Sequence, residues 1–182
     1  MKKGLLLLAD GFEQTEAIAT HDILLRSHGI EVLPVSISSS YTVTSSMGLK
    51  IEAPARLMDI KDVLSYDFIV LPGGKVGVDN LGASTLVRQT ITKFHDAGKV
   101  IGAICAAPSI LGEMGYLDGK HFTCFPGFQQ GNGIYENTGS VIDGNLVTGH
   151  SMAYSIPFAE NLVRVLVGES GVERLKGGAY GI

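Results

Sequence analysis

The sequence has no tryptophan, only two cysteines, and no long run of apolar residues or of like charges. Two cysteines in unlike contexts do not form a disulfide framework, so we expect a reducing, cytoplasmic location. No apolar stretch approaches the roughly 20 residues of a membrane-spanning helix. The apolar run at residues 5–9 is also too short for a signal-peptide core, because Asp10 ends it.

Charge and motifs exclude further partner classes. The 14 basic and 18 acidic residues give a net charge of −4 and are scattered, so neither nucleic acid nor an anionic membrane is an expected partner. The chain contains neither GxGxxG nor GxxxxGK[ST], which leaves nucleotide binding without support. The five histidines lack the spacing of zinc ligands. We therefore expect no metal and no cofactor.

What the sequence does contain is the pattern of an α/β protein. A length of 182 residues with 45% hydrophobic content suits a single domain, residues 1–182. Short apolar runs alternate with segments of helical periodicity, which predicts a mostly parallel sheet covered by helices on both faces. The predicted strands are 5–9, 30–37, 67–71 and 100–104, and the predicted helices are 14–28, 84–97 and 156–167. Ser84 and Ser155 are the predicted N-caps of the last two helices. Residues 38–55 are expected to form a small hairpin, and residues 122–148 several short strands.

Cys105 lies where a buried strand changes directly into a helix. In VIGAICAAPSIL, residues 100–111, the apolar start is typical of a strand, and Pro108 suits the first turn of a helix. A thiol at this bend would project from the carboxyl edge of the sheet, beside the N–H groups of the helix start, which favour a thiolate. The alternative is a buried, unreactive cysteine, which is the commoner fate of a cysteine. Cys124, in a strand pattern, is expected to be such a core residue.

Three loops after strands would share this edge, residues 10–16, 72–77 and 105–108. Glu13 is expected only to complement the helix dipole. Glu16 lies where it could meet the thiol, and burial beside a thiolate would raise its pKa and make it a general acid. The N–H groups of Gly74 and Ala106 could together hold the oxygen of a carbonyl under attack, although a plain glycine turn is the simpler reading of residues 72–74.

Three segments together resemble the DJ-1/ThiJ/PfpI superfamily, on its DJ-1 branch. They are ADGFEQTEA at residues 9–17, DFIVLPGG at 67–74 followed by GVDNLG at 77–82, and AICAAP at 103–108. The resemblance implies a flavodoxin-like three-layer sandwich, a nucleophile elbow and a homodimer. It implies Cys105 as the nucleophile and Glu16 as its proton partner. It also implies that Gly73, Gly74 and Ala106 bind the substrate or its oxyanion.

The sequence departs from the family pattern at four positions. Protease-like relatives carry histidine after the cysteine, where this chain has Ala106, so a Cys-His peptidase is not supported. Phe125 replaces a pocket histidine that DJ-1 proteins often have before a proline. Met47 and His150 stand where two pocket arginines are frequent. The pocket is therefore expected to be less cationic, with Phe125 and His150 as candidate lining residues.

The resemblance implies glyoxalase III or deglycase chemistry on small reactive carbonyls, such as conversion of methylglyoxal to lactate. The partner would be a small aldehyde. A redox-sensing or chaperone-like oxidative-stress protein would use the same oxidisable cysteine, with an oxidant as its partner. A thiamine-biosynthesis-associated protein is a third alternative, although no phosphate-binding loop supports it.

Overall fold

The computed structural model describes residues 1–181, and its centre is a seven-stranded sheet in the order β10-β11-β7-β6-β1-β2-β5. All neighbouring strands run parallel except β10, which is antiparallel to β11. The strands are β1 (Lys2–Leu8), β2 (Ile30–Ser36), β3 (Thr42–Thr44), β4 (Lys50–Glu52), β5 (Ala55–Arg56), β6 (Phe68–Leu71), β7 (Val100–Ile104), β8 (His121–Phe122), β9 (Ile134–Tyr135), β10 (Ser140–Asp143) and β11 (Leu146–Gly149).

Helices cover both faces of the sheet. They are α1 (Gln14–Arg26), α2 (Lys75–Ala83), α3 (Thr85–Asp96), α4 (Pro108–Glu113), α5 (Ser155–Val167) and α6 (Glu169–Leu175). One apolar cluster joins α2, α3 and α4 to one face of the sheet, and a second joins α1, α5 and α6 to the other. The mostly parallel three-layer fold predicted from the sequence is therefore confirmed. Within residues 1–181, no helix is long and apolar enough to cross a membrane.

Helix α2 was not predicted, because its sequence KVGVDNLGA contains two glycines, which are poor helix formers. Gly77 has a packing reason to be there. A Cβ at this position would lie 2.8 Å from the backbone N and Cα of Phe12, so only glycine lets α2 approach the loop after β1 so closely. Gly77 therefore lowers the helix propensity of this segment, but it is also the residue that allows α2 to pack closely in the fold.

The helix ends match the sequence predictions only in part. Ser84 caps α3 as predicted, and its side chain accepts a hydrogen bond from the N–H of Val87. The prediction for Ser155 is wrong. It is the first residue of α5, and its hydroxyl donates to the carbonyl of Met152, because a 3₁₀ turn at Met152–Tyr154 leads directly into the helix.

Two small sheets stand beside the main one. Strands β3 and β4 form the antiparallel hairpin expected in residues 38–55, and β8 pairs with β9. The hairpin lies against the loop after β1, since Gly11 N–H donates to the Thr44 carbonyl and Ser46 N–H donates to the Phe12 carbonyl, both at 2.8 Å. The hairpin therefore supports the loop that leads into α1.

Thr20 on α1 is fully buried, and its hydroxyl has no hydrogen-bond partner among the described residues. A buried unsatisfied polar group costs about 1–3 kcal/mol, so Thr20→Val is expected to increase the free energy of unfolding by about 1 kcal/mol. Thr90→Val on α3 is the matched control, because the Thr90 hydroxyl donates to the Leu86 carbonyl at 2.8 Å. Urea denaturation should show a gain for Thr20→Val only; equal effects at the two positions would contradict this account.

Candidate active site

Three loops meet at the carboxyl ends of the neighbouring strands β1, β6 and β7. The chain moves from β1 to β2 on one side and later to β6 on the other, so the strand order reverses here, and such switch points commonly form binding crevices. The loops are joined by backbone hydrogen bonds. Glu13 N–H donates to the Gly73 carbonyl at 2.9 Å, and Gly77 N–H donates to the Gly11 carbonyl at 3.2 Å.

Cys105 occupies a sharp bend between β7 and α4. Its φ of 65° lies in the left-handed region, which is unfavourable for a residue with a side chain. Neighbouring segments hold the bend on both sides: Cys105 N–H donates to the Gly149 carbonyl at 2.9 Å, and Phe125 N–H donates to the Cys105 carbonyl at 2.8 Å. Cys105 is only partly buried, so the residue keeps some contact with solvent.

The first turn of α1 brings Glu16 beneath this bend. Glu16 is 1% exposed, and its Oε2 accepts a hydrogen bond from Gly73 N–H at 2.7 Å. Its Oε1 is buried without a partner of good hydrogen-bond geometry among residues 1–181, although the Cys105 thiol is close enough to affect its pKa. Burial raises the pKa of Glu16 from 4.5 to about 7, against the lowering effects of the thiol and the Gly73 N–H. The carboxyl can therefore gain and lose a proton near neutral pH.

The pKa of Cys105 corrects the expectation of a thiol acidified by the helix start. Burial, followed by the charge of Glu16 and the hydrogen bond to it, raises the thiol pKa to about 12. Helix α4 has little influence, because it has only six residues and begins at Pro108, which carries no N–H. Only the Gly74 and Ala106 N–H groups lower the pKa of the sulfur. A thiolate at this site therefore requires proton transfer to a nearby base.

The glycine loop after β6 has two separate functions. Gly73 supplies space, because a Cβ there would lie 2.5 Å from Glu16 Oε2 and 2.6 Å from the Cys105 Cβ. The Gly73 N–H already donates to Glu16, so the expectation that Gly73 donates to an oxyanion is wrong. Gly74 has a φ of 87°, and its N–H and that of Ala106 both act on the sulfur. These two groups remain the donors available to an oxyanion.

Glu13 and Cys124 were expected to have structural roles only. Glu13 acts as the N-cap of α1, with its carboxylate accepting a hydrogen bond from Glu16 N–H at 2.7 Å, so it belongs to the helix start. Cys124 is fully buried, as expected of a core residue, and burial raises its pKa to about 11. Cys105 is thus the more accessible of the two thiols.

Phe125 and His150 belong to the two segments that are hydrogen-bonded to the Cys105 bend. Phe125 makes one of these bonds itself, and His150 follows Gly149, which makes the other. Phe125 is 44% exposed, with its ring edge-on to Phe128. His150 directly follows β11 and is half-buried. Its Nδ1 lies 3.2 Å from the Thr123 hydroxyl. Sequence reasoning missed Thr123, because nothing marks it in a strand pattern; only the fold shows its contact with His150.

Comparison with known proteins identifies the family. Residues 2–165 match the model of the DJ-1/PfpI family. The chain belongs to this family. Among the described residues of this DJ-1/PfpI protein, no group of three or more histidine, cysteine, aspartate or glutamate side chains is arranged to hold a metal ion.

Relatives and solved structures cover nearly the whole chain. It is 32% identical to protein dj-1beta of Drosophila melanogaster, over 97% of this chain and 96% of that protein. A Caenorhabditis elegans protein named glutathione-independent glyoxalase DJR-1.2 is 30% identical, over 92% of this chain and 90% of its own length. The crystal structure of a cysteine-to-alanine mutant of a DJ-1 superfamily protein from Salmonella typhimurium has a TM-score of 0.92 and 35% identity, with 99% of this chain and 98% of that chain covered.

The raised pKa of Glu16 predicts a pH-dependent cost in stability. Below pH 4.5 the carboxyl is protonated in both the folded and the unfolded chain. As pH rises towards 7, the unfolded chain loses this proton first, so the free energy of unfolding falls. The shift from 4.5 to about 7 corresponds to about 3 kcal/mol. Relative to the native protein, Glu16→Gln should therefore gain stability between pH 5 and pH 8.

Denaturation midpoints at these two pH values measure this effect. Glu52→Gln on β4 is the control, because Glu52 is exposed. A difference between Glu16→Gln and the native protein that does not change with pH would mean that the folded-state pKa is unshifted.

Proposed function

We propose that this protein is a single-domain, cofactor-independent enzyme that converts small reactive carbonyls, with methylglyoxal to lactate as the model reaction. The single observation that carries the proposal is the buried Glu16 carboxyl, with a pKa of about 7, beside the partly accessible Cys105 thiol. The carboxylate form can accept the thiol proton, and the acid form can return it. A base paired with a nucleophile is the requirement for covalent catalysis.

The first half of the reaction forms a bond between sulfur and the aldehyde carbon. Glu16 takes the proton from Cys105 as the sulfur attacks, so that the thiol does not have to form a free thiolate first. The N–H groups of Gly74 and Ala106 stabilise the oxyanion. Glu16 then protonates that oxygen, which gives a thiohemiacetal and regenerates the carboxylate.

The second half moves one proton between the two substrate carbons. Glu16 takes the proton from the former aldehyde carbon to give an enediolate and returns it to the neighbouring carbon, while the hydroxyl proton on the first carbon passes to the oxygen of the second. The product is a lactoyl thioester on Cys105, and water cleaves it to lactate and the free thiol. No outside oxidant or reductant is needed, because one carbon is oxidised as the other is reduced.

One further observation supports this class of reaction. The C. elegans relative is named as a glyoxalase that does not depend on glutathione, and it is 30% identical to this chain. Deglycase activity would begin with the same attack of sulfur on a carbonyl-derived carbon. A reducing cytoplasm, the location we propose, would keep Cys105 in the thiol form that this chemistry requires.

The alternatives have less support. A redox sensor would use the same deprotonated Cys105, but it gives the Glu16 carboxyl no role beyond accepting the thiol proton. A role associated with thiamine biosynthesis has no supporting feature in the site.

Purified protein is expected to convert methylglyoxal to lactate without glutathione, measured by consumption of the aldehyde and enzymatic detection of lactate. Cys105→Ala should abolish the activity and Cys124→Ala should retain it, because Cys124 is buried away from solvent. Because Glu16 must be ionised to accept the thiol proton, kcat/KM should fall as pH falls below about 7 and level off above it. No conversion by the native protein, or full activity in Cys105→Ala, would refute the proposal.

We also infer that two copies of this chain pair through α1 and the β3–β4 hairpin. Within one chain, an apolar groove between α1 and the hairpin is lined in part by Leu8, Ile18 and His21. Two apolar side chains of this region are well exposed, Ile18 at 45% and Leu49 at 42%. Burial of such apolar surface favours association.

Sedimentation equilibrium should therefore give twice the 19.2 kDa mass of one chain. Ile18→Glu should shift the mass to that of a single chain. Ile142→Glu should not, because Ile142 is comparably exposed, at 38%, but lies on the edge strand β10. A single-chain mass for the native protein would contradict the pairing.

A further inference from the structure

The backbone of His150 lies beside the backbone of the nucleophile, Cys105, on the neighbouring strand. Strands β7 and β11 are parallel, with Ile104 paired to Gly149, so Cys105 and His150 are the next residues of the two strands. The Cys105 N–H donates to the Gly149 carbonyl at 2.9 Å. Since neighbouring strands lie about 4.8 Å apart, the imidazole is attached to the backbone segment that directly borders the elbow.

A second segment fixes the ring. His150 Nδ1 lies 3.2 Å from the Thr123 hydroxyl, and Tyr154 packs edge-on against the imidazole with ring centroids 5.7 Å apart. Thr123 is two residues before Phe125, whose N–H donates to the Cys105 carbonyl. The ring is therefore attached to one segment, at Gly149–His150, and contacts a second, at Thr123–Phe125. Both segments are hydrogen-bonded to the backbone of Cys105.

The hydrogen-bond network assigns the tautomer of His150. The Thr123 hydroxyl has one proton, and it donates this proton to the Thr138 carbonyl at 2.9 Å. Towards His150 the hydroxyl can then only accept, so Nδ1 carries the hydrogen of the neutral ring. Nε2 is left with a free lone pair, which makes it a proton acceptor. Because His150 is only partly buried, water can reach the ring.

The last step of the proposed reaction needs a base that is in contact with water from the solvent. The thioester on Cys105 must be cleaved by water, and water needs a group that takes its proton. Glu16 serves the two substrate carbons, but it is 1% exposed and bonded to Gly73 N–H, so it has almost no contact with solvent water. The residue after the nucleophile, Ala106, offers no base.

We propose that His150, held by Thr123, is the general base that activates water for hydrolysis of the Cys105 thioester. This inference rests on the proposed function. Nε2 takes one proton from water as the water oxygen bonds to the thioester carbon. The carbon–sulfur bond then breaks, the sulfur takes the proton back from the imidazolium, and lactate leaves. Thr123 is a positioning residue, because it acts through His150.

Rapid-quench kinetics with methylglyoxal separates thioester formation from hydrolysis. His150→Gln should consume one equivalent of methylglyoxal at the native rate, while steady-state turnover falls by about 100-fold. The lactoyl thioester should accumulate on Cys105, detectable by mass spectrometry as an adduct that hydroxylamine removes. His121→Gln is the control, because this exposed histidine pairs with Glu136 and should leave both phases unchanged.

Thr123 variants test the positioning role. Thr123→Val removes the acceptor for Nδ1–H and should slow the steady state while preserving the first turnover. Thr123→Ser restores a hydroxyl and should recover most of the turnover. A general loss of folding would reduce both phases together, so the ratio of the two phases separates positioning from stability.

The outcomes distinguish the two proposals. A native protein that does not consume methylglyoxal overturns the proposed function, and this inference with it. An active native protein overturns only the role of His150 in two cases: if His150→Gln turns over at the native rate, or if both phases fall together with no hydroxylamine-labile adduct.

Discussion

The site depends on the burial of one carboxyl group against one thiol. Glu16 has lost nearly all contact with water, and its carboxyl interacts mainly with the Gly73 N–H and the Cys105 thiol. An ionised carboxylate in such a position is destabilised, which keeps its proton affinity high enough to work at neutral pH. The fold accepts this cost because α1 and the loop after β6 are fixed by contacts elsewhere.

Glycine makes this arrangement sterically possible. A side chain at position 73 would occupy the space between the carboxyl and the thiol, and a side chain at 74 would lie 2.4 Å from the Gly11 carbonyl. Cys105 itself takes the left-handed conformation without being glycine. The site therefore combines two positions that require glycine with one that bears strain, and such strain is typical of sites selected for function rather than for stability.

The positions of the main site residues could be predicted from the sequence. Cys105, Glu16 and Gly74 follow buried strands, and the carboxyl ends of parallel strands meet at one edge, so their proximity follows from the strand pattern. The direction of the Glu16 pKa shift followed from burial in the same way. The direction of the thiol pKa shift did not, because burial of the sulfur and the charge of Glu16 outweigh the N–H groups beside it.

Other features depend on contacts that no local pattern records. Helix α2 was hidden by the glycine that its packing requires. Gly73 was taken for an oxyanion donor because sequence could not show that its N–H is bonded to Glu16. The contact of Thr123 with His150 joins residues 27 positions apart, which directly follow β8 and β11, two strands of different sheets.

The Cys105 bend is held by main-chain hydrogen bonds, and this has a consequence for divergence within the family. Cys105 is tied to Gly149 and Phe125 through peptide groups, and Glu13 is tied to Gly73 in the same way. None of these bonds depends on side-chain identity. Exposed residues around the site, such as Phe125 and Val76, can therefore be exchanged in evolution while the reactive pair keeps its geometry. The same reactive pair can thus be kept while the surface that a bound molecule would contact changes around it.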